Sequence, residues 1–199
     1  FLLGKFYLVS EGASYGVKDV YCTRVAHASE FSGAKPGPNR VPDHRTLNTE
    51  HTWPESRFSR RFDHETQKSD MHHLFPTDSE MNSKRSSFDF GDVVDPIEQL
   101  KCPESRLGRP RSGRNTVFEP PTEQKGNTAR ARFYFSVRYD MELDFEEEKA
   151  LREWNKEDPV DEEELTGAKN RLRSQHLISS GDSRKTVCYN PPTMGLYKA

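Results

Sequence analysis

The chain has 199 residues, 31% of them charged, with a formal net charge of -2 and a mean hydropathy of -0.97. That length suits one domain with a modest core and a heavily solvated surface. No apolar run approaches the ~18 residues of a membrane span, and a near-neutral chain is not a polycation that binds by bulk charge.

Phe1 to Ala28 mixes aromatic and β-branched residues, and Val17-Lys-Asp-Val-Tyr-Cys22 reads as a strand. The chain opens without Met and shows no signal peptide, so it is read as mature, trimmed or a fragment. Glu30 to Arg45, rich in Gly, Pro and polar residues, reads as loop. Leu47 to Trp53 is a short strand stopped by Pro54 that delivers His51 to a cleft. Glu55 to Lys68 is polar and reads as loop. A helix is expected from Leu74-Phe75 onward, with Thr77 as N-cap and Glu80 at capping-box spacing. Asn82 and Arg85 then share one face of it at i and i+3.

Phe88 to Gln124 contains several Pro and Gly and reads as mainly irregular, with a basic loop at Arg106, Arg109, Arg111 and Arg114. Asn127 to Tyr139 is a helix, with Ala129, Phe133 and Val137 at i, i+4 and i+8. Phe145 to Lys156 is another, and Asp161 and Glu164 mark the start of a third. Cys22, Cys102 and Cys188 are too few and too spread for a disulfide framework or a zinc pattern and are read as three unrelated thiols; the alternative is one bridge, which would fit an exported protein.

Charge is unevenly placed. Nine Lys/Arg face four Glu between Glu98 and Arg138, a balance of +5, and thirteen acids face three bases between Asp140 and Glu164, a balance of -10. The basic stretch reads as an anion-seeking face and the acidic stretch as a solvated surface.

Two segments carry chemistry: Asn48-Thr-Glu-His-Thr-Trp-Pro-Glu55 and Asp70-Met-His-His-Leu-Phe-Pro-Thr-Asp-Ser-Glu-Met-Asn-Ser-Lys-Arg85. The first sets a carboxylate beside an imidazole, and the second adds a carboxamide and a guanidinium. Hard divalent cations take carboxylate and amide oxygens, a neutral imidazole acts as a base near pH 7, and Arg offers fixed charge to phosphate. These parts suit metal-assisted attack of water on a phosphodiester. Adjacent side chains on a regular strand point opposite ways, so Glu50 and His51 can serve one site only at a strand end, bend or edge.

The chain resembles bacterial endonuclease I. The resemblance lies in Glu50-His-Thr-Trp-Pro54, Ser69-Asp-Met-His-His-Leu-Phe-Pro-Thr77, Asn82-Ser-Lys-Arg-Ser86, Phe118-Glu-Pro-Pro121, Lys125-Gly-Asn-Thr-Ala-Arg-Ala131 and Trp154-Asn-Lys-Glu-Asp-Pro-Val160, in order from about Val20 to about Leu165. It implies an α+β fold, with a ββα-metal core (His-Me finger-like) inside a mostly helical single domain over 1–165. The family's Gly-Asn-Arg-Asn-Pro-Phe segment is not found after Leu165, and 166–199 is read as a divergent, poorly packed tail.

The resemblance further implies a secreted or periplasmic, magnesium-dependent, sequence-non-specific endonuclease acting on DNA, with RNA as an alternative, as a monomer away from membranes. His51 is expected to be the general base, Glu50 and Asn82 the magnesium ligands, with manganese as the other candidate. Arg85 is expected in the catalytic set, contacting the scissile phosphate or bracing the site through a carboxylate. Asp70 and His72 are expected to orient the ligands by hydrogen bonds, while His73 reads as incidental. A zinc site of Glu50, His51, His72 and His73 is disfavoured, because no Cys pair lies near and Asn is a poor zinc ligand. Lys68, Lys125, Arg130 and Arg132, with Arg106, Arg109, Arg111 and Arg114, are expected along a nucleic-acid groove, giving salt-dependent affinity without base choice. The runner-up is a catalytically impaired nucleic-acid-binding or interaction protein on the same fold.

Overall fold

In the computed structural model, which describes residues 2–111, 115–162, 164–167 and 169, the chain begins with an antiparallel sheet of β1 (Leu8–Glu11), β2 (Ser14–Asp19) and β3 (Arg24–His27). Gly12, at φ +68°, turns β1 into β2, a conformation only glycine adopts without strain. Val17 and Ala26 face inward from β2 and β3 onto Leu3, Phe31 and Leu47.

β4 (Leu47–His51) follows the Gly- and Pro-rich loop and pairs antiparallel with β5 (Leu74–Asp78). Leu47 lies opposite Asp78, Glu50 opposite Phe75 and His51 opposite Leu74. Between them the polar stretch is not all loop: a 3-10 turn at Glu55–Arg57 precedes the short helix α1 (His64–Lys68), capped by Asp63 accepting from the Thr66 amide. Every residue of β5 is buried, and the Pro76 carbonyl accepts from the Val20 amide. Leu74 and Phe75 therefore belong to a strand, not to the helix expected there.

Helix α2 (Ser79–Arg85) starts directly after β5, and its cap is Asp78 rather than Thr77. The Asp78 carboxylate accepts from the Glu80 and Met81 amides at 2.9 and 3.2 Å. Thr77 is spent elsewhere: its hydroxyl donates to Asp19 Oδ1 at 3.2 Å. An ionised cap outcompetes a hydroxyl for the positive end of a helix.

The stretch from Phe88 to Gln124, expected to be irregular, folds into a four-stranded sheet in the order β6 (Asp89–Phe90), β9 (Val117–Glu119), β8 (Arg106–Arg109), β7 (Asp95–Pro96). The strands are two to four residues long, and Pro96 lies on the edge, where a missing N–H costs nothing. Helices α3 (Thr122–Tyr139) and α4 (Phe145–Glu157) follow, and a further helical turn begins after Asp161, which accepts from the Glu164 amide at 2.7 Å. Gly126 lets α3 approach the end of α4: a Cβ there would lie 2.0 Å from the Asp158 carbonyl oxygen.

The fold is thus α+β, but not mostly helical: three sheets share the described residues with four α-helices, two of them of seven residues or fewer. The largest core joins Tyr21, Met81, Phe90, Phe118, Leu151 and Trp154, and a second cluster holds Trp53, Phe135 and Tyr139 beneath the β4 end. Cys22 and Cys102 form a disulfide with Cα atoms 4.9 Å apart, which corrects the reading of three unrelated thiols. Cys188, Arg114 and nearly all of the expected 166–199 tail lie outside the described residues.

Candidate active site

Strand β4 ends at His51, and α2 packs across it, so one pocket of about 420 Å³ is walled by Asn48, Glu50, His51, Glu55, Asn82 and Arg85. Neighbours on a regular strand point to opposite sides, but the pocket lies at the end of β4, where both Glu50 and His51 line it. Asn82 and Arg85 reach it from one face of α2.

Glu50 is 1% exposed. Its Oε1 accepts from the Tyr21 hydroxyl at 3.0 Å and lies 3.2 Å from Arg85 Nε. Burial pushes the carboxyl above its ordinary pKa, while Arg85, the Tyr21 hydroxyl and Arg132 pull it back. Tyr21 itself is driven well above the ordinary phenol range by burial and by the Glu50 charge, so it stays a donor. Asn82 donates through Nδ2 to Asn48 Oδ1 at 2.6 Å and to the Thr49 carbonyl at 3.3 Å. Both of those atoms only accept, which fixes the amide with its Oδ1 as the outward group.

His51 Nε2 lies 3.1 Å from the Lys68 carbonyl oxygen. A carbonyl can only accept, so Nε2 carries the proton and the neutral ring keeps its lone pair on Nδ1. Nδ1 is 3.8 Å from Glu55 Oε1. Burial lowers the His51 pKa below its ordinary value, against the Lys68 carbonyl and the Glu55 charge, which raise it. His73, fully buried, sits edge-on to His51 with ring centroids 5.4 Å apart and contacts the Gln67 carbonyl through Nε2 at 2.9 Å. Two consecutive carbonyls at the end of α1 thus receive two imidazoles. Burial drives His73 down to about 3, so it is neutral throughout the working range.

The other expected residues fall less uniformly. Arg85 is 1% exposed and donates to the carbonyls of His51, Thr52 and Ser86 besides contacting Glu50. Of its two expected roles, the geometry fits bracing. Asp70 accepts from the hydroxyls of Tyr134 and Tyr139 at 2.9 and 2.8 Å and caps the turn at His72. His72 lines a separate, larger pocket of about 770 Å³ and packs on Tyr134. The neighbour of the His51 ring is therefore His73, which sequence reasoning set aside. Only the pairing register, which puts the residue before Leu74 beside His51, would have marked it.

Lys68 does not line the pocket itself but pairs at 3.2 Å with Glu55, which does. Three other cations expected along the groove are engaged by protein carboxylates, Arg130 and Arg132 in buried positions and Lys125 in a half-buried one. Lys125 is clamped between Asp92 and Glu119 at 2.7 Å each. Arg130, 3% exposed, binds both oxygens of Glu164 and the Asp158 carbonyl. Arg132, 2% exposed, pairs with Glu147 and stacks 4.0 Å over Trp53. Arg106 pairs with Glu119, while Arg109 and Arg111 are exposed. Helices α3 and α4 pack against each other, and two ion pairs, Arg132–Glu147 and Arg130–Glu164, link the basic and acidic stretches, while Glu146, Glu153 and Glu157 of α4 are exposed.

Asp19 and Asp78 form a further carboxylate pair near Cys22, but Arg24 and Lys101 already neutralise it and the sulfur is in the disulfide. The divalent-cation candidates are Glu50 and Asn82. Their donor set fits a hard cation: one carboxylate and one amide oxygen whose nitrogen is committed elsewhere.

The chain belongs to the endonuclease I family, whose model matches residues 8–176. An extracellular ribonuclease of Bacillus subtilis is 35% identical over 137 residues, covering 59% of this chain and 43% of that protein. An endonuclease-1 of Buchnera aphidicola is 31% identical over 93 residues (47% and 36%), and an extracellular deoxyribonuclease of Aeromonas hydrophila is 32% identical over 93 residues (46% and 39%). The chain spans less than half the length of each of these relatives. No described helix is long and apolar enough to cross a membrane.

Proposed function

We propose that this protein is a magnesium-dependent, sequence-non-specific endonuclease that hydrolyses phosphodiester bonds of DNA and RNA. The observation that carries the reading is the orientation of His51: its Nε2 faces the Lys68 carbonyl, so Nδ1 is the basic atom of a ring that walls the same pocket as Glu50 and Asn82. The unit β4–β5–α2, two antiparallel strands and a helix around one pocket, has the order a ββα-metal site needs.

His51 Nδ1 takes a proton from water as the water attacks phosphorus. Burial keeps the ring neutral and ready for that proton, and the Glu55 carboxylate near Nδ1 stabilises the imidazolium that forms. Glu50 and Asn82 would hold magnesium or manganese, which when bound supplies positive charge to the phosphoryl oxygens and the leaving oxygen. Arg85 holds the Glu50 carboxylate and the backbone at His51 and Thr52 in place. Relatives named for ribonuclease and for deoxyribonuclease support a substrate range set by phosphate rather than sugar. An exported location is part of the same reading: disulfides persist in oxidising compartments, and two relatives are named extracellular.

Plasmid nicking with magnesium, with EDTA, and with His51→Ala tests the proposal. Nicking that requires magnesium and falls by roughly 10²–10⁴-fold in His51→Ala is expected from the loss of a general base. Full-rate nicking in EDTA would overturn the metal requirement, and binding without cleavage under every metal would favour the impaired, nucleic-acid-binding alternative.

A further inference from the structure

Tyr21 lies outside the β4–β5–α2 unit, in the turn after β2, and is 1% exposed. Its ring packs on Phe118 with centroids 4.8 Å apart. Its backbone is held at both ends: the amide donates to Asp19 Oδ1 at 3.3 Å, and the carbonyl accepts from Ser105 Oγ at 2.7 Å. The next residue, Cys22, is locked to Cys102. A buried phenol needs an acceptor, and Tyr134 and Tyr139 find theirs in the structural carboxylate of Asp70. The Tyr21 hydroxyl instead approaches Glu50 from behind the pocket, 29 residues downstream in sequence.

Taking the proposed metal-binding role of Glu50 as given, we propose that Tyr21 is a positioning residue for the cation site: with Arg85 it engages Glu50 Oε1, so that Oε2 is the oxygen offered to a divalent cation. Both the hydroxyl and the guanidinium fall on the same carboxylate oxygen, at 3.0 and 3.2 Å. A hydrogen bond and an ion contact to one oxygen restrict rotation about the carboxylate's last torsion, which is otherwise broad. Small cations such as magnesium demand near-ideal octahedral geometry and are served by a fixed, one-oxygen carboxylate. The phenol does not enter the pocket and touches no reacting atom; it acts through Glu50.

The test is Mn²⁺ binding to the intact protein without nucleic acid, followed by calorimetry and by the EPR signal of free Mn²⁺, in the parent, Glu50→Gln, Tyr21→Phe and Ser105→Ala. Melting temperature is read in parallel, and binding is measured well below every transition. Tyr21→Phe should weaken Mn²⁺ binding by roughly 10-fold or more, the lower part of the range for residues that orient metal ligands. Ser105→Ala loosens the same turn but keeps the hydroxyl, and should leave Mn²⁺ affinity within about twofold, the size expected when no ligand contact changes. If Glu50→Gln binds Mn²⁺ like the parent, the cation site itself is misassigned. If Glu50→Gln loses binding but Tyr21→Phe does not, the site stands and the role of Tyr21 is overturned. An equal weakening by Ser105→Ala would mean general loosening, and would overturn it too.

Discussion

Arg132 on α3 and Glu147 on α4 form an ion pair sealed from solvent, their side chains 2% and 1% exposed. Neither ion serves the other alone. Arg132 also donates to the Thr52 carbonyl at 3.2 Å, and Glu147 accepts from the Phe90 amide at 3.0 Å. Removing one partner leaves the other charge buried and uncompensated, which costs about 3–5 kcal/mol. Arg132→Leu should therefore lower unfolding free energy by that order in denaturant titrations. A groove cation would behave differently, leaving stability intact and reducing the salt slope of DNA binding by roughly one unit. The expected slope for a folded Arg132→Leu is that of the parent.

In the proposed mechanism His51 sets the acid side of the reaction. Its pKa is lowered by burial, so the neutral, basic form persists below the ordinary value of about 6.5. Cleavage at saturating metal should hold level through neutral pH and fall only as pH drops through a value below that. An acid limb at or above pH 7, tracked by initial rates across buffers, would contradict the buried setting of the ring.

His73 governs stability rather than rate. Its pKa in the folded protein is about 3, against about 6.5 in an unfolded chain. A base held below its unfolded pKa takes up a proton on unfolding, so its effect appears as pH falls below about 6.5 and continues toward 3. Over that window stability should drop by about 1.4 kcal/mol per pH unit from this group alone. His73→Gln should flatten the slope by one proton. An unchanged slope in urea titrations at pH 4, 5 and 6 would show that His73 is not the group responsible.

The Cys22–Cys102 bridge spans a sequence separation of 80. Loop-closure entropy for a ring of that size corresponds to about 4–5 kcal/mol at most, and measured values for native disulfides run from about 2 to 5 kcal/mol. A Cys22→Ala/Cys102→Ala variant should lose stability within that range.

The sequence disclosed the long elements and concealed the short ones. Helix α3 was legible by its Ala129, Phe133 and Val137 spacing, although it starts at Thr122 rather than Asn127 and Val137 is exposed, and α4 was legible as the polar run from Phe145 bounded by Pro159. The four-stranded sheet was not, since strands of two to four residues carry no readable alternation. Thr77 satisfies a capping rule as well as Asp78 does, and only the distant Asp19, which takes the threonine hydroxyl, decides between them. At the candidate site, Glu50, His51, Asn82 and Arg85 were found by motif, and the structure gathers them at one pocket. Arg130 and Arg132 looked like surface cations because their counter-ions, Glu164 and Glu147, lie 34 and 15 residues away and become neighbours only when α3 meets the acidic region. Tyr21 offered no signal at all: a lone Tyr before a Cys says nothing of a carboxylate far downstream.

The disulfide also closes a covalent hoop, from Cys22 through β4, β5 and α2 and back at Cys102. A protease that cuts once in the exposed stretch from Ser32 to Lys35 severs the chain without dividing the molecule. The piece bearing Tyr21 stays bonded to the piece bearing Glu50 and His51, and the tether keeps each at high effective concentration for the other. A nicked copy can thus keep its site assembled, while the same cut followed by reduction sets the two halves adrift.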